Sequence, residues 1–239
     1  LAKLIKRKLH GPEVVMVGTP RSVAAERFRR LKTLLNNDPS DPRVMVVTSA
    51  GPGEGKSVTA VNLALAVAAD MKGEVLLIDA DLRRPTVDRW LDPPPKLGLA
   101  ELLRGQTEPD HAILEMSNTP LRVLPAGEPP ADPSELLASE FSRALMEDLR
   151  TRFHKIVIDT PPIVPFTDAD VIGGLSDGVV LVTRAGSTPV SSYKQAVASV
   201  SSTRILGTVL NDLTFSLADR ESYHSYARGY HEYYSKERR

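Results

Sequence analysis

The sequence has no cysteine, few aromatic residues (one Trp, six Tyr and five Phe in 239) and no net charge, its 30 Lys+Arg being matched by 30 Asp+Glu. Without cysteine there is no disulfide framework, no cysteine-based zinc site and no thiol nucleophile, which is compatible with a reducing compartment. Zero net charge removes overall basicity as a reason to expect nucleic acid, and no nucleic-acid partner is expected. Long hydrophobic runs are missing too. The longest clean apolar stretch covers residues 63–69, far short of the roughly 18 residues that a membrane-spanning helix needs. No signal peptide is recognisable and the first residue is Leu1, so the chain is expected to be a fragment or a processed product. What remains, 41% hydrophobic and 25% charged residues, is the composition of one globular domain with a sizeable core.

Two local biases are hidden in those averages. Residues 1–10 (LAKLIKRKLH) carry four Lys/Arg and no acid, and Tyr223, Tyr226, Tyr230, Tyr233 and Tyr234 crowd into twelve residues near the C-terminus. Composition also breaks near Leu217. The chain therefore divides into a basic, juxtamembrane-like lead (1–20), a folded domain (21–217) and a flexible tyrosine-rich tail (218–239).

Apolar, β-branched runs bounded by turn residues at 44–48, 75–78, 156–158, 179–183 and 205–210 predict buried strands. Helix-like stretches at 57–69, 134–153 and 191–202 lie between them, which predicts an α/β fold of three layers around a mostly parallel central sheet. Ten of the 19 prolines fall between Pro85 and Pro133. This insertion-like region is expected to hold a short helix at 99–103 and a short strand at 121–124. In such folds the loops that follow strand C-termini carry the site.

The first of these loops is chemically specific. VMVVTSAGPGEGKSVTAVNLALAVA places a strand, a glycine-bearing loop and a helix around Ala50-x4-Gly55-Lys56-Ser57, a Walker A pattern. The run Gly51, Pro52, Gly53, Glu54, Gly55, Lys56, Ser57 and Val58 is the expected nucleotide-binding set. Small residues let successive backbone N–H groups turn toward phosphate oxygens at the start of a helix. Lys56 would reach the β- and γ-phosphates, and the Ser57 hydroxyl suits Mg²⁺.

Two further strands end in acids. VLLIDADLRRP ends in Asp79 and Asp81, and KIVIDTPP in Asp159, so the three carboxylates converge on the same sheet edge as the phosphate loop. Asp159 is the Walker B candidate for Mg²⁺. Asp79 and Asp81 would point to one side if the strand continued through both, one supporting the metal and the other accepting a proton. The plainer alternative, that Asp79 and Asp81 cap a turn before Pro85, stays open. Arg83 and Arg84 are either phosphate-neutralising or a solvated pair.

SAGPGEGKS, VLLIDADLRRP, LPAGEPPADPSELL and KIVIDTPP together resemble the bacterial tyrosine kinases of capsule and exopolysaccharide assembly, over most of the chain from about Ala24 onward. The resemblance implies a P-loop NTPase fold, ATP and Mg²⁺ as cofactors, and a C-terminal tyrosine cluster phosphorylated between subunits. It assigns Lys56, Asp79, Asp81 and Asp159 to catalysis and Ser57, Asp81 and Asp159 to the metal. Asp79 is taken as the proton acceptor and Asp81 as the metal support, two roles that the sequence does not separate. Asn211, after the strand ending GTVLN, stands where related proteins contact adenine, although a polar strand-end cap is equally consistent. The stretch Glu26-x2-Arg29-x2-Lys32 resembles the helix these kinases use for ring assembly, with Lys replacing the last Arg.

The implied partners are further copies of the chain in a homo-oligomer, a membrane polysaccharide co-polymerase that sets chain length, fused upstream or separate, and a tyrosine phosphatase. The implied location is the cytoplasmic face of the plasma membrane. Tyr223, Tyr226, Tyr230, Tyr233 and Tyr234 become candidate acceptors, whereas their helical spacing alone would suit a docking stripe. A competing reading is a partitioning-type P-loop ATPase, a nucleotide-dependent assembly or membrane-localisation switch without protein phosphorylation. Those ATPases usually carry a lysine where this chain has Gly51. A third is an interaction module that keeps ATP as a structural ligand.

Overall fold

Four of the five β-branched runs form strands buried on both faces, because helices cover both sides of the sheet they build; the fifth, at 205–210, is a half-exposed strand at the sheet edge rather than the buried one expected. The computed structural model describes residues 7–70 and 74–212. Its strands are β1 (Lys8–Leu9), β2 (Val44–Ser49), β3 (Val75–Asp79), β4 (Leu91–Asp92), β5 (Leu114–Glu115), β6 (Leu121–Leu124), β7 (Lys155–Asp159), β8 (Gly178–Arg184) and β9 (Ile205–Asn211). Its helices are α1 (Val15–Gly18), α2 (Val23–Asn36), α3 (Lys56–Asp70), α4 (Leu99–Leu103), α5 (Pro109–Ala112), α6 (Pro133–Ala138), α7 (Glu140–Arg152), α8 (Asp168–Gly173) and α9 (Val190–Ser199). The tyrosine cluster and the first part of the basic lead lie outside the described residues.

The main sheet has the order β5, β6, β3, β7, β2, β8, β9. Its pairings are parallel except at the edge, where β5 runs antiparallel to β6. Alternate strand residues feed two cores. Met45, Val47, Leu77 and Val157 pack with α3, while Val46, Leu76, Ile78 and Ile158 pack with Leu145, Met146 and Leu149 of α7. Both alternating sets must be apolar, so the strands read as continuous hydrophobic runs. The expected three-layer α/β architecture is therefore present. The order also puts β7 between β2 and β3, which brings Asp159 beside Val47 and Asp79 in register.

Two local expectations change. The single helix expected over 134–153 is two helices, α6 and α7, because Ser139 turns extended (ψ 156°) and its hydroxyl accepts the Ser142 N–H at 3.1 Å as the cap of α7. And residues 7–18, part of the segment set apart by charge, are packed into the domain. β1 pairs with β4, and Leu9 and Val14 are buried in the α3-side core. Fully buried Asn62 of α3 fastens this stretch: its Oδ1 accepts the Met16 N–H at 3.1 Å and its Nδ2 donates to the Glu13 carbonyl at 2.8 Å. Asn62→Leu keeps the volume but strands both backbone groups, and should cost about 2 kcal/mol. Thermal denaturation checks this: the midpoint should fall by several degrees, and an unchanged midpoint would show that the strap contributes nothing. Among the described residues no helix is long and apolar enough to cross a membrane.

Candidate active site

The phosphate loop leaves β2 at Ser49 and enters α3 at Lys56. Gly53 and Gly55 adopt φ of +75° and +93°, the left-handed region that side chains disfavour. Gly55 is doubly required, since a Cβ there would lie 2.0 Å from the Asn211 amide nitrogen. Glu54, expected within the nucleotide-binding run, turns its side chain inward and braces the loop. Its carboxylate accepts the Ala50 N–H at 3.0 Å and the Thr188 hydroxyl at 2.7 Å. Pro52 and Gly53 form the exposed rim, and Val58 is half-buried one turn into α3. On the outer side of the loop lies a cavity of about 260 Å³ lined by Gly51, Pro52, Glu54, Arg184, Thr188 and Ser192.

Lys56 sits between two acids. Its Nζ is 2.7 Å from Asp81 Oδ2 and 3.9 Å from Asp159 Oδ1, and it donates to Ser57 Oγ at 3.2 Å. Burial pulls the ammonium pKa down, but Asp159 and Asp81 outweigh it and hold the group above the ordinary lysine value. Asp159 is fully buried, and among the described residues it is the only side chain with two buried oxygens that accept no hydrogen bond. Burial pushes its carboxyl up to about 6 against the pull of Lys56. The nearest compensating charge, Lys56, is 3.9 Å away, and a buried carboxylate so thinly compensated is expensive unless a further cation completes its surroundings, so its two oxygens would fit a Mg²⁺ ion. No three His, Cys, Asp or Glu among the described residues are arranged as a metal cage. The Ser57 hydroxyl, Asp81 and Asp159 are thus a partial set of hard oxygen donors, which fits an ion that takes the rest of its ligands from phosphates and water.

The structure separates Asp79 from Asp81. β3 stops at Asp79, so the two do not share a strand face. Asp79 closes a turn instead, accepting the Asp81 N–H on one oxygen (3.1 Å) and the Thr86 and Val87 N–H groups on the other (3.2 and 3.1 Å). Its carboxyl is held well above the usual carboxylate range by complete burial and by the neighbouring Asp159 charge. The turn also delivers Thr86, whose hydroxyl donates to Ser57 Oγ at 2.9 Å. Nothing in the sequence pointed to this threonine, which follows a proline in a loop without periodicity.

Arg83 is half-buried and already engaged by protein groups. Its guanidinium grips buried Asp168 through two hydrogen bonds (2.7 and 3.1 Å), donates to Ser134 and lies over the Phe166 ring. Arg84 is exposed. Asn211 lies against the phosphate loop, donating to the Glu54 carbonyl at 2.9 Å. On α2, Glu26 and Arg29 pair with each other at 3.1 Å toward solvent, whereas Lys32 is buried and paired with Asp70. Only two of the three expected assembly residues therefore face outward.

This geometry has counterparts of known family. Over 216 residues the chain is 34% identical to the tyrosine-protein kinase YwqD of Bacillus subtilis (strain 168), covering 88% of this chain and 90% of that protein. The chain belongs to the bacterial tyrosine kinase family. The kinase is also 34% identical, over 231 residues, to the succinoglycan biosynthesis transport protein ExoP of Rhizobium meliloti (strain 1021), matching 92% of its own length but 29% of ExoP. The solved kinase domain of the Escherichia coli tyrosine kinase ETK superposes with a TM-score of 0.81 at 28% identity, covering 88% of this chain and 84% of that one. No protein-family model matches the kinase. Lys56, Ser57, Asp81 and Asp159 are the side chains gathered beside the phosphate loop of this kinase.

Proposed function

We propose that the kinase transfers the γ-phosphoryl group of ATP to C-terminal tyrosines of a neighbouring copy. The observation that carries this is the cluster at the end of β7: an acid with two free buried oxygens, a lysine between it and Asp81, and a glycine loop opening a helix beside them. Ser57, Asp81 and Asp159 would hold Mg²⁺, which would supply positive charge to the β- and γ-phosphate oxygens. The backbone N–H groups of residues 53–57 cradle the phosphates, and Lys56 exchanges its contact with Asp81 for the β- and γ-oxygens.

Chemistry is then a single displacement. A tyrosine hydroxyl oxygen bonds to the γ-phosphorus, the bond to the β,γ-bridging oxygen breaks, ADP leaves, and Asp79 takes the phenolic proton. Burial and Asp159 make Asp79 basic enough for that role. Its three backbone donors belong to residues 81, 86 and 87, so the phenolic O–H must take the place of one of them to reach it.

Tyr223, Tyr226, Tyr230, Tyr233 and Tyr234 are the proposed acceptors. Residues 220–239 carry five Lys/Arg and three Glu. Five phosphates add roughly −7.5 to −10 charges, reversing the sign of the tail and favouring its release from an acidic site. Outward-facing Glu26 and Arg29 are proposed to join copies, in a ring or a smaller oligomer. The match to part of ExoP, a succinoglycan biosynthesis transport protein, supports a polysaccharide co-polymerase as the upstream or separate partner and a role in regulating capsule or exopolysaccharide export; a place at the cytoplasmic face of the membrane and a phosphatase that resets the tail complete the proposal. Replacing all five tyrosines with phenylalanine tests the acceptor assignment. Phosphotyrosine measured by mass spectrometry after incubation with Mg·ATP should disappear while ATP binding persists; undiminished phosphotyrosine would move the acceptors elsewhere.

A further inference from the structure

Asn211 is the last residue of β9, and its contacts give it a task separate from any base recognition. Its amide nitrogen donates to the Glu54 carbonyl at 2.9 Å, across 157 residues of sequence, and fills the space a side chain at Gly55 would need. In a trans peptide unit the C=O and the following N–H lie in one plane and point in opposite directions. Holding the Glu54 carbonyl toward Asn211 therefore turns the Gly55 N–H the other way. The φ of +93° at Gly55 is part of the same fixed arrangement. On the opposite flank the Glu54 side chain is held by the Ala50 N–H and the Thr188 hydroxyl. Thr188 in turn accepts the Arg184 N–H at 2.9 Å, and Arg184 pairs with Asp212, next to Asn211. The loop is thus pinned from both sides to the ends of β8 and β9.

We infer that Asn211 is a positioning residue for the phosphate loop, presetting the Gly55 N–H toward the anion before nucleotide arrives. This rests on the reading of the loop as an ATP site, but not on phosphotransfer. A loop that is already oriented does not spend binding energy on being ordered, so the benefit is felt by any polyphosphate, with or without a base. An adenine contact would benefit ATP alone.

The test compares ATP with inorganic tripolyphosphate, each titrated by calorimetry with Mg²⁺ present, on wild type, Asn211→Ala and Asn211→Leu. The leucine has a similar branched shape but no N–H to give, and it adds no charge beside the phosphates. Losing one side-chain to backbone hydrogen bond should weaken both ligands by the same factor, about fivefold to tenfold, in both variants, with the thermal midpoint of the apoprotein little changed. In turnover the loss should appear in KM for ATP and leave kcat nearly intact. Loss for ATP alone would make Asn211 a base contact and overturn the inference, as would unchanged affinity for both ligands in the leucine variant. If the alanine variant fails to fold, the leucine decides. Failure of wild type to bind either ligand would instead sink the ATP-site reading itself.

Discussion

Replacing Lys56 with methionine should lower phosphotyrosine formation by roughly 10²- to 10³-fold, the usual consequence of removing one charge-stabilising donor from an active site. The structure makes the lysine do two things at once. It is the cation that Asp81 and Asp159 share, and in the proposed reaction it is the group that meets the phosphates. Methionine fills a similar volume, so the packing around α3 survives and the loss is electrostatic. The variant should bind ATP more weakly and remain folded. Initial-rate measurement with saturating Mg·ATP checks this, and a variant that keeps more than a tenth of wild-type activity would remove Lys56 from catalysis.

The second large effect runs against intuition. Asp159→Asn should abolish activity and at the same time stabilise the ligand-free protein. Asp159 is raised from the ordinary 3.8 to about 6 in the fold because burial disfavours its charge. The folded state therefore binds that proton more tightly than the unfolded chain. Between about pH 4 and pH 6 the wild-type fold loses stability as pH rises, and above pH 6 the whole penalty is present, on the order of 3 kcal/mol. An asparagine at this position has no charge to bury, so the variant should melt several degrees higher at pH 8 and converge with wild type near pH 4. Asp79 is raised partly by the Asp159 charge, and its relief adds in the same direction. Asp38, Asp170 and Asp177 are shifted the other way, downward; their contributions are lost only on stronger acidification and do not enter this window. Melting curves across pH 4–8, with and without Mg·ATP, give the test. The ligand should stabilise wild type far more than the variant, and a variant less stable than wild type at pH 8 would show that the buried carboxylate is already neutralised within the fold.

Much of this was legible in the residues, and the reasons differ from place to place. The β2, β7 and β8 strands could be read because burial on both faces demands uninterrupted β-branched runs. The phosphate loop could be read because the left-handed turns at Gly53 and Gly55 leave little choice of residue. Asp159 was visible as an acid at the end of an apolar strand. Its two free oxygens were not, since they depend on what fails to reach them. The split between Asp79 and Asp81 was hidden for a geometric reason: a strand that ends at Asp79, two residues short of Asp81, sends the second acid to Lys56 and leaves the first to gather backbone N–H groups. Arg83 and Lys32 looked like surface charge, and long-range partners at Asp168 and Asp70 pulled both inward. The break at Ser139 required knowing that a serine in a helical run had become a cap.

Transfer between copies, the central claim, is tested most directly by mixing two inactive halves. One chain keeps Lys56 but has phenylalanine at Tyr223, Tyr226, Tyr230, Tyr233 and Tyr234; the other keeps its tyrosines but carries Lys56→Met. Neither should acquire phosphotyrosine alone with Mg·ATP. Mixed, the Lys56→Met chain should become phosphorylated on its tail, as mapped by mass spectrometry. Absence of phosphotyrosine in the mixture, while wild type labels under the same conditions, would contradict transfer between copies.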